Sequence, residues 1–121
     1  MLMKEISIVI PNARLGDLNQ VLYKHKVGGL SYYNIHGRGR ATHESREVTS
    51  YEGYRTGKTV SPEFEPRTKV EVVVSDSAAK EIVDEVIRSL STGAAHDGKV
   101  FVKDIPEAYD IGSKETGEHA L

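Results

Sequence analysis

Two glycines with four residues between them, followed at once by a lysine, stand at Gly93-Ala94-Ala95-His96-Asp97-Gly98-Lys99. This is the residue set of a phosphate-cradling loop. Glycines let backbone N–H groups turn toward an anion, and the lysine adds a point charge. The match to a P-loop is incomplete, because Val100 stands where Ser or Thr should hold magnesium. The order of elements is also reversed: a P-loop follows a strand and feeds a helix, whereas here an expected helix precedes and an expected strand follows. The same residues read equally as a Gly-rich helix end and a turn.

A second imitation of the motif lies at Gly53-Tyr54-Arg55-Thr56-Gly57-Lys58-Thr59, with three residues between the glycines where four are needed. No apolar strand leads into it, so it reads as the basic tip of a long connection. The histidines, His25, His36, His43, His96 and His119, are not paired at a metal-binding spacing, and no metal site is expected. Cysteine is absent, which excludes disulfides, thiolate metal sites and thiol catalysis. Glu115 and Glu118 are carboxylates in a polar tail and read as solvated. No residue is assigned a catalytic role.

A chain of 121 residues is enough for one domain around one core, residues 1–121 throughout. Its 38% hydrophobic and 28% charged residues are ordinary for a soluble protein. A net charge of −2 gives no general attraction to nucleic acid or to an anionic membrane. Arg38 and Arg40 are too few to make a local basic patch, so no nucleic-acid partner is expected. No apolar run approaches the ~20 residues of a membrane span, and no signal peptide is visible in Met1-Leu2-Met3-Lys4. The expected location is the cytoplasm.

The elements that must position the loop follow from periodicity. Over 4–11, Ile6, Ile8 and Ile10 alternate with Ser7 and Val9, a half-buried strand stopped by Pro11. Asn12 is placed to cap a helix in which Leu15, Leu18, Val21 and Leu22 recur up to Lys26, with Gly28-Gly29 to end it. A second strand runs from about Leu30 to Arg40, carrying Tyr32, Tyr33 and Ile35. From Ala41 to Pro66 neither period is sustained; a stretch of that kind is either functional or a bare insertion. Val70, Val72 and Val74 then mark a third strand, and Asp76 or Ser77 caps a second helix. Ala79, Ile82, Val83, Val86, Ile87 and Leu90 form its apolar stripe up to Gly93, and a fourth strand spans Lys99 to Ile105. The order βαβ-βαβ predicts an α+β fold of the ferredoxin-like, split-βαβ type. Its four-stranded antiparallel sheet would carry both helices on one face, with the long loop between strands 2 and 3.

At this point the chain resembles the PII family of signalling proteins. Gly37-Arg38-Gly39-Arg40 is similar to the family's G-F-G-R motif before its long T-loop. Pro66-Arg67-Thr68-Lys69-Val70-Glu71-Val72-Val73-Val74 resembles its P-K-x-K-I-E-I-V-V strand. Thr92-Gly93 through Asp97-Gly98-Lys99-Val100-Phe101-Val102 resembles its T-G-x-x-G-D-G-K-I-F-V segment, the B-loop, and Glu115-Thr116-Gly117-Glu118 with Ala120-Leu121 resembles its ending. The resemblance implies a homotrimer that binds adenine nucleotide in clefts between subunits and docks on a membrane transporter or metabolic enzyme through its T-loop. The implied segments are a T-loop at about 41–66, a B-loop at about 92–99 and a tail at 107–121. Ser31, Gly37, Gly39, Arg40 and Val73 would contact the nucleotide on one side of the cleft; His96, Asp97, Gly98 and Lys99 would hold it from the B-loop. Tyr51 and Tyr54 lie near a tyrosine that some members modify, and otherwise serve as partner contacts.

Departures from the pattern bear on the ligand. Ala41 stands where 2-oxoglutarate-sensing members carry a glutamine that helps hold magnesium, so the part of magnesium is left open. Arg67 replaces the lysine that reaches 2-oxoglutarate; it keeps the charge and changes the geometry. Two tail arginines that clamp the outer phosphates correspond to Asp110 and Gly112. Charged hydrogen bonds are worth ~1.5–3 kcal/mol each, so losing two costs ATP roughly two to four decades of affinity. ADP or AMP is therefore expected to be favoured over ATP, with no obligatory cofactor. His96 replaces a family glycine, which restricts positive φ in the B-loop. Some relatives are linked to inorganic carbon, and Arg40 with Arg67 is a candidate site for bicarbonate or another small anion. The rival expectations are such an anion sensor associated with carbon fixation, or a slow nucleotide phosphohydrolase.

Overall fold

The computed structural model describes residues 3–38 and 64–121. Strand β1 runs over Met3–Pro11 and leads through a short 3-10 turn, Asn12–Arg14, into helix α1, Leu15–Lys24. Strand β2 is Ser31–Gly37 and strand β3 is Glu65–Ser75. Helix α2, Asp76–Leu90, precedes strand β4, Lys99–Ile105, and a second 3-10 turn, Gly117–Ala120, lies in the tail. All strand pairs are antiparallel, in the order β2-β3-β1-β4, and both helices pack on one face. The expected split-βαβ arrangement is the one observed.

The alternation on the two central strands makes the core. Ile6, Ile8 and Ile10 of β1 stand beside Val72, Val70 and Thr68 of β3 in register, and the apolar members meet Leu18 and Leu22 of α1 and Ile82 and Val86 of α2. The opposite face of the sheet keeps Tyr33, Lys69 and Glu71 together: the Tyr33 hydroxyl donates to Glu71 Oε1 at 2.7 Å, and Lys69 Nζ lies 3.7 Å from the same oxygen. Phe101 is exposed on that face. Among the described residues no helix is long and apolar enough to cross a membrane.

Several boundaries differ from the sequence reading. Helix α1 stops at Lys24, short of Gly28-Gly29. Val27 N donates to Leu22 O at 3.0 Å and Lys26 N to Tyr23 O at 2.9 Å, with Lys26 at φ 61. This is a Schellman end with lysine in the left-handed position that glycine usually fills. Helix α2 ends at Leu90, and Ser91 leaves it in extended geometry, so Gly93 belongs to the loop. Its N-cap is Ser75, without a side-chain cap bond. Asn12 also caps nothing; its Oδ1 accepts from the buried Thr68 hydroxyl at 2.7 Å. Ile87 is 54% exposed, one helical step beyond the buried stripe. Strand β2 ends at Gly37, before Arg40. Strand β3 begins at Glu65, so Pro66, expected as the end of the 41–66 loop, lies in the strand. Pro66 is tolerated there because it pairs with His36 of β2 alone; pairing with β1 starts only at Arg67.

Candidate functional site

The loop between α2 and β4 is organised by one carboxylate. Asp97 Oδ1 accepts from the Thr92 hydroxyl at 2.6 Å, and Oδ2 accepts from the Thr92 amide at 2.6 Å and the Ala94 amide at 3.2 Å. The Thr92 hydroxyl, then the loop amides, hold the Asp97 carboxyl below the usual carboxylate range. Asp97 N returns a bond to Ala94 O at 3.2 Å. The helix end feeding this loop is itself fixed by β1's neighbour Arg14, whose Nη1 donates to Leu90 O at 3.2 Å and satisfies an orphan helix carbonyl.

Gly98 carries the loop onto β1. Its φ is +127, and a Cβ there would lie 2.1 Å from Val9 O. No side chain fits that approach. Gly93, at φ +87, needs glycine for conformation only, since an added Cβ would meet nothing within 4 Å. His96 is not among the residues with positive φ, so its substitution for a family glycine brings no backbone strain. Lys99 opens β4 opposite Val9; it is exposed and makes no ion pair with a described residue. The loop therefore presents a turn fixed by these bonds and an ammonium without an ion partner among the described residues.

The nearly buried Arg67 reaches this loop from β3: its Nη1 donates to His96 O at 2.7 Å, and its Nη2 lies 3.6 Å from Glu65 Oε2. Its stem passes Gly37, where an added Cβ would meet Arg67 Cγ at 3.5 Å. Thus Gly37, Arg67 and residues His96 to Lys99 gather at one end of the sheet. Ser31 and Val73 lie at the other end. They border a cavity of about 760 Å³ between the α1–β2 connection, the second half of β3 and residues Glu118, Ala120 and Leu121. Ser31 and Gly37 are six residues apart on one strand, about 20 Å.

The sequence-predicted site residues thus fall into two groups that one chain does not bring together. Gly39 and Arg40, with Ala41, Tyr51, Tyr54 and the 53–59 motif, lie outside the described residues. The Thr92–Asp97 staple spans five positions, wider than the two-residue Asx turn that a sequence signals, so Thr92 is a site residue that sequence reasoning misses. The Arg67–His96 bond has no local signal, because its ends are 29 residues apart. In the tail, Asp110 accepts from Ser113 N at 2.8 Å and closes a turn, which holds its carboxyl low.

The chain is similar to known proteins over nearly its whole length. The family model for "Nitrogen regulatory protein P-II" matches residues 3–115. Nitrogen regulatory protein P-II 2 of Methanothermobacter thermautotrophicus is 30% identical over 119 residues, which cover 98% of this chain and 97% of the relative. The P-II protein of Klebsiella oxytoca is 31% identical over 119 residues, covering 98% of this chain and all of the relative. Among solved structures, the GlnK–ATP complex of B. subtilis superposes with a TM-score of 0.76 at 31% identity, covering 99% of this chain and 98% of that one. By fold, by motif and by these comparisons, the chain belongs to the nitrogen regulatory protein P-II family.

Proposed function

We propose that this protein is a cytoplasmic signal transducer of nitrogen metabolism, a single domain over 1–121 that works as a homotrimer. It binds adenine nucleotide at clefts between subunits, favours ADP or AMP over ATP, and regulates a transporter or enzyme through the 41–66 segment. The observation that carries this reading is the α2–β4 loop: amides and glycines held in shape by Asp97, with a lysine at the exit that has no ion partner among the described residues. A B. subtilis relative is known as a GlnK–ATP complex, which supports the ligand class.

The separation of the site residues supports the inter-subunit cleft. His96 to Lys99 with Gly37 supply the phosphate side at one end of the sheet, and Ser31 with Val73 border a cavity of mixed polar and apolar lining at the other. A gap of about 20 Å between Ser31 and Gly37 is too long for one nucleoside diphosphate to bridge within a chain. A neighbouring copy closes the gap by presenting its opposite end. Exposed Tyr33 and Phe101 on the helix-free face give such an assembly apolar surface to bury. The preference against ATP rests on the tail: Asp110 and Gly112 occupy the places of two phosphate-clamping arginines, and Asp110 is a turn residue that brings negative charge.

Neither rival gains from the geometry. The hydrolase needs a base; of the candidates in the sequence, Asp97 is bonded to its own loop and Asp110 to its own turn, and Glu44 lies outside the described residues. The small-anion site needs Arg67, whose guanidinium is engaged by His96 and Glu65. Titration calorimetry with ADP, AMP and ATP, with and without magnesium and 2-oxoglutarate, tests the reading together with native mass spectrometry. The expected result is a trimer that binds ADP or AMP at least tenfold tighter than ATP. A monomer, or ATP binding strengthened by 2-oxoglutarate and magnesium, overturns it.

A further inference from the structure

Glu85 of α2 gathers basic side chains that differ in shelter. His25 Nε2 lies 3.0 Å from its Oε1, Lys24 Nζ 3.2 Å from Oε2 and Arg88 Nη2 3.6 Å from Oε1. The Lys24 and Arg88 side chains are 70% and 71% exposed, and ion pairs that reach out into water contribute little. The His25 and Glu85 side chains are 20% and 12% exposed, so theirs is the sheltered contact between the end of α1 and α2. The bond to His25 first, then Lys24, holds the Glu85 carboxyl below the usual carboxylate range; it is an acceptor, and Nε2 donates to it. A further proton on the ring therefore goes to Nδ1. It turns a neutral donor into a full charge without breaking the bond.

His25 also opens the run of residues 25–31 that lines one side of the 760 Å³ cavity. Ala78 and Ile82 of α2 line the same cavity, and Ile82 is three positions before Glu85, on the same side of the helix. The His25–Glu85 contact thus ties two walls of the cavity together. Farther along the run, Gly28 and Gly29 have open space around them, so side-chain packing does not fix the wall there. Its placement depends on the turn that His25 begins.

We propose that His25 is a positioning residue whose protonation fastens the 25–31 wall to α2, so that the cavity holds its ligand more tightly in mildly acidic than in mildly alkaline solution. The identity of the ligand rests on the nucleotide reading above; the fastening does not. The charged groups around His25 are Lys24 and Lys26 from its own segment and Glu85 from α2, with Arg88 behind it; Glu71 of β3 and Glu118 of the tail line the same cavity. Carboxylates and ammonium or guanidinium groups keep their charge between pH ~5.5 and pH ~8, and an imidazole does not. A lysine in place of His25 would make the tie permanent; histidine makes it conditional.

Two measurements on the full-length protein test this, the first without ligand. Hydrogen exchange, corrected for the intrinsic effect of pH, is expected to show a peptide covering 25–31 about fivefold better protected at pH ~5.5 than at pH ~8. In His25→Gln, whose amide still donates to Glu85 but does not titrate, protection is expected to be equal at the two pH values. Glu85→Gln, which removes the carboxylate instead, is the second variant and is expected to behave the same way. Calorimetry with ADP follows at both pH values. The terminal phosphate titrates in this range too, but equally for every protein, so the quantity read is the affinity of the unsubstituted protein relative to His25→Gln. That ratio is expected to be near one at pH ~8 and about five at pH ~5.5. Protection of 25–31 that ignores pH, or that follows it equally in His25→Gln, overturns the fastening; ADP binding in that case leaves the nucleotide reading standing. Protection that follows pH in the unsubstituted protein alone, with no ADP binding at either pH, upholds the fastening and overturns the nucleotide reading. A ratio that stays at one while protection changes overturns the link between the wall and the ligand.

Discussion

The α1–β2 and α2–β4 connections hold equivalent places in the two βαβ halves and are built by different means. The first closes its turn with backbone bonds, a Schellman end at Leu22 to Val27 followed by Gly28 and Gly29, at neither of which an added Cβ would meet anything within 4 Å, and only at its start does a side chain, His25, reach out, to Glu85 of α2 at 3.0 Å. The second is closed by side chains: Asp97 on Thr92 and Ala94, Arg67 on His96, and Gly98 laid on the Val9 carbonyl. A backbone-closed turn returns the chain and tolerates exchange of its residues. A side-chain-closed loop fixes where its amides and its lysine point, which is what a binding site needs.

The comparison breaks most visibly at the glycines. Gly98→Ala forces a Cβ to within 2.1 Å of a backbone oxygen at a φ of +127. Strain and overpacking together cost about 2–5 kcal/mol, and the melting temperature should fall by roughly 10 °C or more. Gly28→Ala has open space and no positive φ, so its effect should stay within about 1 kcal/mol. Thermal denaturation of the pair decides whether the loops differ as described; equal shifts would mean they do not.

Lys99 separates function from fold within the second loop. It is exposed and free of described ion partners, so Lys99→Met should leave thermal stability near that of the unsubstituted protein. Losing one charged hydrogen bond to phosphate should weaken ADP binding about 10- to 150-fold in calorimetry. Unchanged affinity would remove the lysine from the site.

Much of this contrast was legible in the sequence, and the illegible part has a physical pattern. Alternation at Ile6, Ile8, Ile10 and at Val70, Val72, Val74 marked the central strands, because burial on one face is a period-2 signal. Both helices end before the glycines that the sequence offers as terminators. Lys26 accepts the left-handed position in one, and Ser91 simply leaves extended in the other. The motif at Gly93 to Lys99 was legible as glycines and a lysine, but the role of Gly98 depends on a strand about ninety residues earlier in the chain. The Arg67–His96 contact is tertiary for the same reason.

Asp97 gives a smaller effect with a pH signature. Three donors converge on its carboxylate, so Asp97→Asn replaces one acceptor oxygen with a donor where an acceptor is required. The loop should loosen, and ADP affinity should fall about tenfold as preorganisation is lost. The folded carboxyl titrates below its unfolded value, so its stabilisation is complete above that value and is lost as pH falls through the lower one. The difference in melting temperature between the two proteins should therefore be constant above pH ~5 and narrow below pH ~4. A gap that instead grows on acidification would show that the staple is not the ionised carboxylate.

The smallest effect lies in the other connection and has the opposite sign. Lys26 sits at φ 61, where its Cβ crowds the backbone, while its N–H and that of Val27 make the two bonds that end α1. Lys26→Gly removes the crowding, worth about 1 kcal/mol, but gives the unfolded chain more freedom. The two nearly cancel, leaving a gain of at most about 0.5 kcal/mol and a melting temperature raised by some 2 °C. Because Lys26 also lines the cavity beside Ser31 and Val73, ADP affinity is read on the same variant; little change is expected if that wall serves through its backbone, which glycine keeps. If Lys26→Gly instead weakened ADP binding as Lys99→Met is expected to, the α1–β2 connection would be a charged part of the site, and the contrast between the two loops would have to be redrawn with a cation on each.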